Sequence, residues 1–178
     1  LFYSIREDNS PENQFHFLLN QSNTLEKNNP TKVGHDGKTI NHGNTGNTNV
    51  RYYEYKRLFS FNEDYVPHLS VPFGKNLPGL LLSNADYNDW VSEFFQTKGL
   101  TLTLKPTEND LALSKLVGNR IYSYPYFTVS ETLQRVVFYI MAINSNSNSV
   151  LLFDEPETNT FPFYTKFLAE RIALDETN

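Results

Sequence analysis

Apolar and polar positions group along this chain in short runs, and their spacing predicts the elements one by one. Residues 10–23, SPENQFHFLLNQSN, predict a short helix with Ser10 at the N-cap and Pro11 at the first helical position, where no N–H is needed. Residues 28–49 are nearly all Asn, Gly, Thr, Lys and His; they bury too little apolar surface to offset their ordering entropy and predict a mobile loop. VRYYEYKRLFSF, residues 50–61, is aromatic-rich and predicts a strand. LPGLLLS, residues 77–83, is a short apolar piece between turn residues. In NADYNDWVSEFFQTKG, residues 84–99, Trp90, Val91, Phe94 and Phe95 share one face of a predicted helix that Gly99 stops. LTLTLKP alternates with period two, so one face of that strand is buried. LSKLVGNRIYSYP predicts a hairpin about Gly118 and Asn119.

The last third reads as helix, strand, helix. Ser130 caps ETLQRVVFYIMAI, in which Leu133, Val136, Val137, Ile140 and Met141 form an apolar stripe. NSNSNS is a loop, and VLLF, residues 150–153, predicts a fully buried strand of the parallel-sheet kind. Thr160 and Pro162 open a final helix in FPFYTKFLAERIAL. No internal repeat is present.

Composition narrows this picture only in places. The chain has 178 residues, suiting one domain or a domain with a small lobe. Aromatic residues make up 15%, enough large side chains for a real core. Net charge is −5, which argues against a nucleic-acid footprint over the whole surface but leaves room for a local basic strip. Cysteine is absent, which removes disulfides and thiolate metal sites and fits a reducing, cytoplasmic setting. No apolar run approaches the ~18 residues that a membrane span needs. A start at Leu1 rather than Met leads us to expect a piece of a longer protein.

The candidate chemistry lies in VLLFDEPETNTFPF. Carboxylates at the C-terminal end of a parallel strand sit where α/β sheets place their ligands. Asp154 is suited to a Mg²⁺ shell, while Glu155, on the opposite side of the chain, is suited to orienting or deprotonating a water. Pro156 ends the strand, since it lacks an amide donor. The plain alternative is a polar strand end opening a turn.

VLLFDEPE resembles the Walker B motif of ABC-type and structural-maintenance-of-chromosomes-like ATPases. FTVSETLQRVVFYIMAI, one short loop upstream, resembles their signature motif and signature helix. The DEPE continuation, with Pro162 opening the next helix, is similar to bacterial AAA-type ATP-binding proteins, a group that includes RecF-like and overcoming-lysogenization-defect-like ATPases. The resemblance covers residues 126–174. It implies a Mg²⁺-associated Asp154, a catalytic Glu155, and a Ser130 that meets the γ-phosphate of ATP held by the opposite subunit. Gln134 and Arg135 match the polar pair after the signature and join the nucleotide-binding set, and residues 158–161 fall at the D-loop. ATP and Mg²⁺ are the implied cofactors, and a homodimer or a partner ATPase subunit is the implied assembly. Glu131 and Thr132 stand where the family carries glycine, and an acid beside a γ-phosphate is unfavourable. For Ser130 the plain reading is an N-cap.

A phosphate-binding loop, G-x-x-x-x-G-K-[ST], should precede the signature. KVGHDGKT, residues 32–39, ends correctly in Gly37, Lys38 and Thr39 but has Lys32 in place of the first glycine, with no strand before it and no amphipathic helix after it. We therefore expect an α/β fragment of a P-loop NTPase (ABC-type ATPase), with a mixed sheet and flanking helices, inactive alone for lack of that loop. Residues 1–128 form a mixed lobe in this expectation, and residues 129–178 form the signature helix, Walker B strand and following helix. Hydrolysis of Mg-ATP would serve DNA repair or phage defence, roles typical of the resembled group. Two other readings remain: a catalytically silent ATPase-like interaction module, and a metal-dependent nuclease using Asp154, Glu155 and Glu157. His16, His35, His42 and His68 show no metal-ligand spacing. RYYEYKR, residues 51–57, could stack bases and touch phosphates of a nucleic acid, or be a strand with an aromatic core face.

Overall fold

Two segments a hundred positions apart lie side by side: β3 (Asn49–Glu54) pairs in parallel with β7 (Ser149–Asp154), from Asn49 opposite Ser149 to Glu54 opposite Asp154. The computed structural model describes residues 14–17, 31–34, 49–61 and 66–178. Between the paired strands the chain forms α1 (Leu77–Ser83), α2 (Ala85–Gln96), β4 (Thr101–Lys105), β5 (Asp110–Val117), β6 (Arg120–Pro125), a 3-10 turn (Tyr126–Thr128) and α3 (Glu131–Asn144). β4, β5 and β6 form an antiparallel sheet in that order, and α4 (Pro162–Ala173) follows β7. The architecture is thus mixed α/β, with four helices, a two-stranded parallel sheet, a three-stranded antiparallel sheet and a further two-stranded antiparallel sheet among the described residues. No described helix is long and apolar enough to cross a membrane.

Two early expectations are corrected. The segment predicted as a helix capped by Ser10 contains β1 (Gln14–Phe17), which pairs antiparallel with β2 (Thr31–Gly34) inside the predicted mobile loop. Phe15 and Phe17 alternate with Gln14 and His16, a period of two that fits a strand. Ser10, Pro11, His35, Gly37, Lys38, Thr39 and His42 lie outside the described residues, while Lys32 of the glycine-lysine motif lies in β2.

The helix and hairpin predictions over residues 84–125 hold. Asn84 caps α2 by accepting the Tyr87 N–H at 3.2 Å, Val91 and Phe95 are fully buried, and Gly99 ends the helix with φ +69°. β5 and β6 turn about Gly118, whose φ is +60°. The aromatic run forms a strand only as far as Glu54, and LPGLLLS is helix α1, with Leu77, Pro78, Leu80 and Leu81 buried.

α3 runs through the centre. The expected apolar stripe is in fact burial on every side: each residue from Gln134 to Ile143 is buried, as a helix enclosed by other elements must be. Phe138 meets Tyr53, Tyr55 and Tyr139 edge-on at centroid distances of 6.0, 5.8 and 5.0 Å, and Tyr139 meets Phe153 at 5.2 Å. One core cluster takes in Tyr53, Phe95, Leu111, Leu113, Tyr139 and Leu168, residues from both sides of position 128. Val50 and Tyr52 face the other way, against Val150 and Leu152. β7 was expected to be fully buried, but only Ser149 is, and residues 150–154 are half-buried. One paired neighbour, β3, shields it among the described strands.

Candidate functional site

The acids stand at the C-terminal end of β7. The register sets Asp154 beside Glu54, whose charge is met by Lys56 at 3.0 Å. Tyr52 on β3 donates its hydroxyl to Asp154 Oδ2 at 3.0 Å. Burial, and then this bond to a carboxylate, push the Tyr52 phenol well above its ordinary pKa, so it stays a donor. From α3, the Tyr139 hydroxyl donates to the Asp154 carbonyl at 2.7 Å. Two tyrosines therefore fix the strand end, one through the Asp154 carboxylate and one through its carbonyl.

Glu155 leaves the strand direction at once. Its φ is +42°, a left-handed conformation that a non-glycine residue seldom adopts. The turn is closed by the Thr158 N–H on the Glu155 carbonyl and the Thr158 hydroxyl on Glu155 Oε2, both at 3.1 Å. Arg135 adds a bond from its guanidinium to the Glu155 carbonyl at 3.3 Å. Asp154 is half-buried and Glu155 exposed, so the two carboxylates occupy different environments.

α3 begins beside this turn. Ser130 is its N-cap residue, as predicted, but its side chain makes no capping bond; its carbonyl accepts from Leu133 and Gln134. Ser130 is exposed. Thr132 donates its hydroxyl to the Asn159 carbonyl at 3.0 Å, tying the first turn of the helix to the turn after the acids. Glu131 pairs with Arg135 at 3.1 Å and Arg57 at 3.9 Å, and the Arg135 guanidinium lies 4.6 Å from the Tyr55 ring centre. Gln134 points inward at 2% exposure, donating to the carbonyls of Val129 at 2.7 Å and Phe127 at 3.4 Å and accepting from Tyr55 at 3.3 Å. The structure thus brings Asp154, Glu155, Arg135 and the start of Ser130's helix together, and commits Gln134 to the interior.

No group of three or more His, Cys, Asp or Glu among the described residues is placed to hold a metal ion. A single carboxylate at a strand end suits Mg²⁺ that arrives on phosphate oxygens better than an all-protein cage. In the run RYYEYKR, Tyr52 and Tyr53 are buried and Tyr55 is covered by Arg135, leaving Lys56 and Arg57 as its exposed residues. The hydrogen bonds of Tyr52, Tyr139 and Thr132 are not legible in the sequence, since they depend on which strand and turn lie opposite. No family model matches this chain, and neither a curated protein nor a solved structure matches it.

Proposed function

We propose that this chain is part of a cytoplasmic ABC-like ATPase, a P-loop NTPase that hydrolyses Mg-ATP at an interface between two ATPase subunits. One observation carries the reading: Asp154 ends a parallel strand, Glu155 follows it directly, and the N-terminus of α3 is tied to the turn after them through Thr132 and Asn159. In this reading Mg²⁺ bound at Asp154 supplies charge neutralisation for the phosphates. Asp154, held by Tyr52, positions that charge. Glu155 orients an attacking water and takes its proton. Ser130 offers an exposed hydroxyl and a helix N-terminus to a γ-phosphate from the other subunit. Arg135 holds the Glu155 backbone and neutralises Glu131. In the intact protein, Glu155→Gln is expected to lower ATP turnover at least roughly a hundredfold while ATP binding persists; unchanged turnover would exclude hydrolysis at this site.

A second reading, a catalytically silent interaction module, is favoured by Glu131, an acid in the first turn of α3 where an incoming phosphate would be repelled. In that case Mg-ATP leaves the thermal unfolding of the intact protein unshifted.

A further inference from the structure

The β5–β6 hairpin carries a surface that the ATPase reading does not use. Strand register places Lys115 opposite Tyr122, Leu113 opposite Tyr124 and Val117 opposite Arg120. Alternation then puts Tyr122, Tyr124, Lys115 and Arg120 on one face. The same face at its inner end is core, with Leu111 and Leu113 fully buried, while its outer end is open: Tyr122 is 43% and Tyr124 46% exposed. Both cations are exposed, and none of the described ring contacts involves either tyrosine. From Leu111 to Ser130 the chain has no Asp or Glu, although the whole chain carries −5. An acid-free arm on an acidic protein, with two rings and two cations on one face, complements a polyanion that also offers flat apolar groups.

We propose that this hairpin face binds single-stranded nucleic acid, with Tyr122 and Tyr124 stacking bases and Lys115 and Arg120 meeting phosphates. Two residues along a strand separate the rings by about 7 Å, a span that an extended single strand covers with successive bases. Stacking on aromatic rings tolerates any base, so the site reads backbone and ring rather than sequence. A duplex keeps its bases stacked on each other and offers these rings nothing. A second copy of this chain is the less suited occupant, since its own hairpin would bring the same two cations and no acid.

The test is fluorescence anisotropy of a labelled oligothymidylate with the full chain at low salt. Wild type is expected to bind, and a matching duplex to bind more weakly. Tyr122→Ala and Tyr124→Ala should each weaken binding roughly five- to a hundredfold. Lys115→Gln with Arg120→Gln should lower the salt slope by about 1.4, the share of two phosphate contacts on a single strand. All four side chains are exposed, so circular dichroism is expected to show the fold intact. Leu116→Ser with Ile121→Ser, on the opposite face, should leave binding unchanged. Absence of binding by wild type overturns the proposal, as does equal affinity for duplex. So does a chain that sediments as a dimer dissolved by Leu116→Ser with Ile121→Ser while the tyrosine variants still bind the oligonucleotide like wild type. The experiment contains no ATP, so its outcome is independent of hydrolysis at Asp154 and Glu155.

Discussion

The Tyr52 hydroxyl and the Asp154 carboxylate meet at 3.0 Å across two parallel strands, between residues that are 102 positions apart in the chain. The bond couples the position of the proposed Mg²⁺-associated acid to the neighbouring strand rather than to its own. Removing the hydroxyl deletes one charge-assisted bond and leaves the ring packed on Val150 and Leu152. Tyr52→Phe should therefore cost roughly 1–2 kcal/mol, measured by urea unfolding. In the intact protein it should also raise the Mg²⁺ needed for half-maximal turnover.

Glu155 holds a left-handed backbone at φ +42°, with its carbonyl bonded by Arg135 and the Thr158 N–H and its side chain bonded to the exposed Thr158 hydroxyl. Such a conformation costs on the order of 1 kcal/mol or more for a residue with a Cβ. Glu155→Gly removes that strain, so the melting temperature is expected to stay or rise while turnover of the intact protein is lost. A fall of several degrees would show that the carboxylate holds the turn.

Gln134 acts as a buried polar clamp on the segment entering α3, with bonds to Val129, Phe127 and Tyr55. Gln134→Ala leaves two carbonyls and a phenol without their partner and opens a cavity. About 3 kcal/mol of stability should be lost, readable as a lower urea midpoint at unchanged slope.

Gly74 and Gly118 both have positive φ, yet differ in surroundings. A Cβ at Gly74 would stand 3.0 Å from the Phe138 ring and 3.1 Å from Leu69, whereas one at Gly118 meets nothing within 4 Å. Gly118→Ala should cost about 1 kcal/mol from backbone strain alone. Gly74→Ala adds overpacking and should cost roughly 2–4 kcal/mol. Equal losses in the two variants would contradict the packing around Phe138.

Burial, and then the charge of Arg51, lower the His68 pKa in the folded chain. The unfolded imidazole titrates near ~6.5 and so takes up a proton first as the pH falls. The stability of the neutral form is complete above that value; it is lost as pH falls toward the lower folded pKa and levels off below it. Melting curves from about pH 8 to pH 5 should show a decline that is smaller in His68→Gln. Titration of the other histidines cancels in the difference between the two proteins.

Local periodicity explains what was readable. α2, β4, the β5–β6 hairpin, α3 and α4 each carry their pattern within a dozen or so residues, and Gly99 and Gly118 mark their ends. The complete burial of α3 agrees with VVFYIMAI, which is apolar on every face, whereas the stripe from Leu133 to Met141 by itself predicts only one buried side. Around Ser10 the Ser-Pro helix signal outweighed the alternation of Phe15 and Phe17 in β1. At the candidate site, Asp154, Glu155 and Ser130 were visible as a motif. The hydroxyls of Tyr52, Tyr139 and Thr132 were not, because their partners come from distant segments. No spacing rule within one run could have named them.

The parallel pairing of β3 with β7 also sets an order of assembly. The β5–β6 hairpin closes through pairs as near as Val117 and Arg120, and α2 lies against the adjoining strand. Bringing Asn49 to Ser149 closes a far longer loop, whose entropic cost must be met before the pairing returns anything. During refolding the hairpin and helices should gain protection from solvent exchange early. The strand end bearing Asp154 should gain it last, so a chain caught midway would hold most of its helical signal and none of its acid site.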